Sequence, residues 1–210
     1  SWSLLGHSYG GMLACLYADL FPGSIRTVIY ECPCFCFSLS TKSVAVYLSG
    51  YFRDSQNPDG VQLCQEILHK VYEKNDKSAA EDMLHMLSLA SGNPQVRNYL
   101  HNVSYEEYAA SYSTDGISPE MWQKSDIHYE KLAQDGSMFS DFLCLIDTIR
   151  QPSLLLTGRY DPVCGEEQRR YFREHSPNGQ MVEFEQSGHF PRIEEPEKYT
   201  NCVCRFLRNF

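Results

Sequence analysis

Three short stretches hold residue types that do chemistry when brought together. "LLGHSYGG" carries Ser8 within Gly6-x-Ser8-x-Gly10, "LLLTGRYDP" ends an apolar run at Asp161, and "FEQSGHFPRIEEP" carries His189 after another such run. A serine hydroxyl is a poor nucleophile until a base takes its proton, so Ser8 matters only in company. The glycine-flanked turn supplies position. It holds a serine where a strand passes sharply into a helix, with Gly6 and Gly10 expected to omit Cβ atoms that would collide at the crossing and Gly11 allowing further close packing. The helix that follows aims its first N–H groups, that of Tyr9 among them, at a developing oxyanion. Taken singly, Ser8 fits a strand–helix turn without chemistry, Asp161 an Asp-Pro turn and His189 a surface loop. Order and spacing weigh against that. From Ser8 to Asp161 there are 153 positions, room for a strand plus a helical insertion, and the 28 from Asp161 to His189 fit one helix and one strand.

The elements that must position these residues are readable from periodicity. Trp2 to Gly6 reads as a short strand. Met12, Leu13, Cys15, Leu16, Leu20 and Phe21 recur at helical spacing until Pro22-Gly23, and Ile25 to Pro33 is a β-branched strand. Strand, turn, helix, strand is a parallel α/β unit. From about Cys36 to Asp141 the pattern turns helical. Val61, Cys64, Ile67, Leu68 and Val71 make one stripe, and Met83, Leu84, Met86, Leu87 and Leu89 another, with breaks at "GNPQ", "STDGISPE" and "QDGS". Pro152 to Pro162 returns to strand, a polar helix spans Glu166 to His175, "SPNG" is a turn, and "MVEFEQSGHF" is a further strand. The last helix begins with acids before Pro196, which suit a helix amino terminus. The expected organisation is a core of residues 1–35 and 141–210 with a helical cap over residues 36–140.

Composition narrows the partners. A chain of 210 residues with 42% hydrophobic and 21% charged residues is ordinary globular material. The net charge of -9 and pI near 5.2 argue against nucleic acid and anionic membranes. No apolar run is long enough to span a bilayer, and no secretory signal is visible. The nine cysteines are expected as reduced thiols of a cytoplasmic protein. Cys32, Cys34 and Cys36 alternate, as on one face of an extended segment, without a second cluster at ligand spacing. Neither a metal nor a cofactor is expected.

These stretches resemble the α/β-hydrolase superfamily, and within it the proline iminopeptidase-like serine hydrolases. The likeness rests on "LLGHSYGG", "PSLLLTGRYDPV", "SGHFPRIEEPEKY" and the helical insertion before Pro152. It implies an α/β fold, here the carboxyl-terminal part of the hydrolase sheet with a helical lid. It also implies roles: Ser8 attacks the substrate carbonyl, His189 takes and returns the proton, and Asp161 orients the imidazole and stabilises its charged form. The oxyanion donor that can be assigned is the Tyr9 N–H. His7, family-typical at the elbow, is no base candidate. His69, His85, His101, His128 and His175 read as ordinary.

Two departures qualify the resemblance. Aminopeptidases of this family bind the substrate's free amine with carboxylates, some from a glutamate directly after the triad aspartate, where this chain has Pro162. Glu31, at the end of the second strand, is the substitute nominated with His7 for substrate binding, and equally reads as a solvated loop acid. Glu106, Glu107 and Asp126 of the insertion cannot be ranked. The family also has strands before the nucleophile strand, and one loop there donates half of the oxyanion hole. The first strand here is therefore expected as an open sheet edge, completed by a missing amino-terminal segment or a second chain. The expected substrate is a small molecule or short peptide. An ester cleaved by a carboxylesterase or lipase-like enzyme, and a non-catalytic fragment, are the other readings.

Overall fold

Strands from both ends of the sequence meet in one sheet, and that meeting gathers the three stretches. The computed structural model describes residues 1–73, 77–112, 116–135, 139 and 141–210. Among these, β1 (Trp2–His7), β2 (Ile25–Glu31), β3 (Ser153–Gly158) and β4 (Gly179–Phe184) pair in that spatial order, all parallel. Leu5 lies opposite Ile29, Tyr30 opposite Leu155, and Leu156 opposite Val182. Every residue of β3 is buried, as is all of β2 except Arg26. Continuous apolar strands of this kind suit a parallel sheet covered on both faces.

Alternation of side chains sorts the two faces. Val28, Tyr30 and Leu155 pack with Ala14, Cys15 and Ala18 of α1 (Tyr9–Leu20) and with Ile146, Ile149 and Phe172. Ile29, Leu154, Leu156 and Phe184 pack beneath Cys202 and Phe206 of α10, the final helix (Pro196–Arg208). In this sheet β1 pairs with β2 alone, and Trp2 is 72% exposed. It is an open edge strand, as expected.

Between β2 and β3 the described residues form helices: α2 (Phe37–Asp54), α3 (Pro58–His69), α4 (Ser78–Leu89), α5 (Pro94–Arg97), α6 (Tyr105–Ala110) and α7 (Pro119–Asp135). Polar caps set the starts of α3, α5 and α6. Asn57 accepts from the Gly60 N–H and Asn93 from that of Val96, while Ser104 and Glu107 form a reciprocal capping box. The core of this segment (Val44, Leu48, Phe52, Cys64, Ile67, Met86, Tyr99) runs without a break into Met12 of α1, Cys34 and Val163. The predicted stripes need correction. Helix α3 stops at His69, so Val71 falls outside it and is 87% exposed, and Leu84 and Leu89 face away from a stripe built on Ala79, Ala80, Met83, Met86 and Leu87. Parts of two predicted breaks, residues 113–115 and 136–137, lie outside the described residues.

After β3 come α8 (Glu166–His175), with acids in its first turn and Arg173 and His175 in its last, then β4 and the short α9 (Pro191–Glu194). All nine cysteines are free, and seven are buried. Cys32, Cys34 and Cys36 do not share a strand face, because β2 ends at Glu31. Cys32 turns to the Gly188 carbonyl, Cys34 accepts from Ser40 Oγ, and Cys36 meets Ser38. No helix among the described residues is long and apolar enough to cross a membrane.

Candidate active site

Ser8 sits between β1 and α1 with φ of 54° and ψ of -119°, a conformation that L residues rarely adopt. Close packing enforces the turn. A Cβ on Gly6 would lie 2.1 Å from the Gly10 carbonyl oxygen, and one on Gly11 would lie 2.6 Å from Pro33 Cβ. A Cβ on Gly10 would meet nothing within 4 Å, so the expectation that Gly10 relieves a collision is wrong; Gly6 and Gly11 carry that requirement. The Ser8 N–H donates to the Glu31 carbonyl at 2.9 Å, and the Ser8 carbonyl accepts from Gly11 and Cys34. Helix α1 begins at Tyr9, so its positive end lies immediately beside Ser8.

Asp161 lies in the turn after β3, where it is buried. Its Oδ1 accepts from the Val163 N–H at 2.9 Å and its Oδ2 from that of Cys164 at 3.1 Å. His189 Nδ1 donates to the same Oδ1 at 2.8 Å. The carboxylate thus fixes its own turn and the imidazole together, leaving Nε2 as the ring nitrogen for proton transfer. His189 is itself buried. Its N–H donates to the Tyr99 carbonyl at 3.0 Å, and its carbonyl accepts from His7 Nε2 at 2.9 Å. The His189 and His7 rings lie 4.7 Å apart, which sets the imidazole against the residue preceding Ser8.

Glycines let backbones touch here. A Cβ on Gly158, the last residue of β3, would lie 1.9 Å from the Gly188 carbonyl, and one on Gly188 would lie 2.1 Å from that of Tyr99. Four non-glycine residues have positive φ among those described: Ser8, Cys32, Gln56 and Tyr99. Two of these four adjoin His189: Tyr99 accepts from its N–H, and Cys32 Sγ lies within 4.8 Å of its ring nitrogen; Ser8 follows His7, whose ring packs on that of His189. Backbone strain of this kind concentrates at functional sites.

The two nominated substrate residues are both committed within the protein. His7 is held neutral: burial, reinforced by the nearby His189 and Arg192, lowers its pKa from 6.5 to about 2. It acts as a fixed donor to the His189 carbonyl. Glu31 is fully buried, so the solvated-acid reading fails. Its Oε2 forms an ion pair with Arg192 at 3.0 Å and accepts from Tyr199 Oη at 3.2 Å, while its Oε1 accepts from the Arg192 N–H. Burial still pushes its pKa up, outweighing the opposing pull of Arg192. Glu107 is likewise spent in its capping box, and His175 stacks on Tyr171. The side chain of His128 lies outside the described residues.

Sequence reasoning missed the most connected acid near His189. Glu194, read only as an early acid of the last helix, is buried and accepts from four backbone N–H groups (His101, Asn102, Gly188 and Phe190). The available signal was its place five residues after His189.

Among the described residues, Cys32, Asp161 and His189 form the one grouping with metal-ligand atoms in mutual reach. It suits a metal poorly. Asp161 already accepts three hydrogen bonds, and burial beside Asp161 pushes the Cys32 thiol well up, away from the thiolate that a metal needs.

A parallel α/β core with a sharp glycine-flanked serine turn at one strand end and a carboxylate–imidazole pair beyond others is the plan of the alpha/beta hydrolase fold. The chain belongs to the alpha/beta hydrolase fold family, whose model matches residues 1–196. It is 26% identical over 210 residues to a proline iminopeptidase of Heyndrickxia coagulans, and 25% identical over 207 residues to one of Clostridium botulinum (strain Hall, type A). These matches take in 98% and 97% of this chain, which spans 66% and 65% of the length of those two proteins. Among solved structures, an alpha/beta fold family hydrolase from Bacillus anthracis str. Sterne superposes with a TM-score of 0.61 at 20% identity, over 98% of this chain and 67% of that one. That is a likeness of fold.

Proposed function

We propose that this chain carries the catalytic triad of a serine hydrolase, with Ser8 as nucleophile, His189 as general base and acid, and Asp161 as the orienting carboxylate. The observation that supports this most is the buried 2.8 Å contact between His189 Nδ1 and Asp161 Oδ1, set against the strained turn of Ser8 through His7. In the proposed reaction Ser8 Oγ bonds to the substrate carbonyl carbon as His189 Nε2 takes its proton. The tetrahedral oxyanion is held by the Tyr9 N–H at the start of α1. Collapse expels the leaving group, which receives the proton from His189, and leaves an acyl-enzyme. Water activated by the same imidazole then releases the acid. Asp161 orients the imidazole throughout.

The leading substrate class is an amino-terminal proline amide, supported by the two proline iminopeptidase relatives. One observation favours a second reading, an ester or amide without a free amine. Glu31, the residue nominated to bind that amine, is closed off by Arg192 and Tyr199, and Pro162 follows Asp161. Proline-naphthylamide and a short acyl naphthyl ester, offered to the same preparation, separate the two. Turnover of the amide with an inert ester supports the peptidase, and the converse supports the esterase. Ser8→Ala abolishes either activity. Turnover near the wild-type rate in that variant would remove Ser8 from the mechanism.

A further inference from the structure

Glu194 divides its two carboxylate oxygens between segments far apart in sequence. Oε1 accepts from the His101 N–H at 2.6 Å and the Asn102 N–H at 2.9 Å, both in the stretch joining α5 to α6. Oε2 accepts from the Gly188 N–H at 2.6 Å and the Phe190 N–H at 3.4 Å, the residues on either side of His189. One buried carboxylate therefore holds both the loop of the base and a loop of the helical segment. Hydrogen bonds from neutral donors to a carboxylate are stronger than those to a neutral acceptor, and a buried donor left without its acceptor is costly. Four such donors depend on Glu194.

The same two loops touch at other points. The His189 N–H donates to the Tyr99 carbonyl at 3.0 Å, Gly188 packs directly on that carbonyl, and His101 stacks at 3.5 Å on Tyr160, the residue before Asp161. Tyr99 takes its positive φ at this contact. His189 is thus positioned from its flanks by a residue that also grips the helical segment.

We propose that Glu194 is a positioning residue that couples docking of the 99–102 loop to alignment of His189, so that the base is competent only while the helical segment is seated. This rests on the triad reading above. It goes beyond that reading by making the seating of the 99–102 loop a condition of catalysis.

The test pairs a structural readout with a chemical one on the same 210-residue chain. Hydrogen exchange of Glu194→Gln, compared with the wild type, is expected to quicken together in peptides covering residues 98–103 and 186–191 while α8 and β3 stay protected. The rate of Ser8 phosphonylation by a fluorophosphonate is expected to fall about 10- to 100-fold, the scale of a slightly misplaced catalytic group. Glu194→Asp should recover part of both. Faster exchange in one loop alone would overturn the coupling, and phosphonylation at the wild-type rate in folded Glu194→Gln would overturn the positioning role. If the wild type itself gave no Ser8 adduct, the triad reading would fail, and the exchange data would still decide whether Glu194 joins the two loops.

Discussion

The turn that holds Ser8 and the loop that holds His189 are built on opposite plans. Ser8 is fixed within the first strand–helix–strand unit, its N–H on the Glu31 carbonyl and its own carbonyl accepting from Gly11 and Cys34. Gly6 packs on Gly10, the Gly11 N–H bonds back to the Ser8 carbonyl, and α1 starts at the next residue. His189 is fixed by groups from across the chain: Asp161 on its ring, Tyr99 on its N–H, His7 on its carbonyl and Glu194 on both flanks. The Ser8 turn therefore rests on contacts confined to residues 6–34. The base loop is a tertiary object, and its geometry is only as good as the packing of the helical segment, α9 and the strand ends around it.

The contrast can be broken at the turn. Gly6→Ala places a methyl group 2.1 Å from a backbone oxygen and is expected to cost more than about 3 kcal/mol. Gly10→Ala enters open space within a helix and should change stability by less than about 1 kcal/mol. Urea titrations of the two variants measure both. Equal losses would show that the turn is not held by the Gly6 contact.

Next in size is the tether beneath the base loop. Arg192→Leu strands the buried Glu31 carboxylate and is expected to cost about 3 kcal/mol at pH 8. The sign of its pH dependence follows from the raised pKa of Glu31. A carboxyl whose folded pKa exceeds its ordinary 4.5 favours folding when protonated, and that contribution is lost as pH rises through the folded value. The deficit of the variant should therefore shrink from pH 8 to pH 5. A deficit that grows towards acid would reverse the assignment of Glu31 as the burdened group.

The smallest effect concerns His7, which joins the two regions. Its folded pKa lies near 2 against an ordinary 6.5, so its contribution is complete above 6.5 and is lost as pH falls towards 2, because only the unfolded chain takes up the proton. That amounts to at most about 1.4 kcal/mol per pH unit below 6.5. In His7→Phe the slope disappears, so its stability relative to the wild type should improve between pH 7.5 and pH 5. Parallel pH curves for the two proteins would mean that His7 is not held neutral.

The same contrast governs what the sequence made legible. Strands β2 and β3, helices α1 and α8 and the parallel α/β plan follow from local periodicity and punctuation, and so did the positions of Ser8, Asp161 and His189, which sit at ends of such elements. What was missed depends on pairs distant in sequence. Glu194 reads as a helix-start acid until the 101–102 loop is brought to it, Glu31 reads as a free acid until Arg192 arrives, and Gly10 reads as sterically required until the true contact, Gly6 against the Gly10 carbonyl, is located. The stripes of α3 and α4 were misjudged at Val71, Leu84 and Leu89 because helical spacing says which residues share a face but not where the helix stops or which edge of the face is covered.

The proposed triad makes Ser8 a working nucleophile and His189 its base. Fluorophosphonate labelling of the purified protein, followed by peptide mapping, tests it most directly. A single adduct on Ser8 is expected, absent in Ser8→Ala and greatly slowed in Asp161→Asn. An adduct on another serine, or none on a chain shown to be folded, would contradict it.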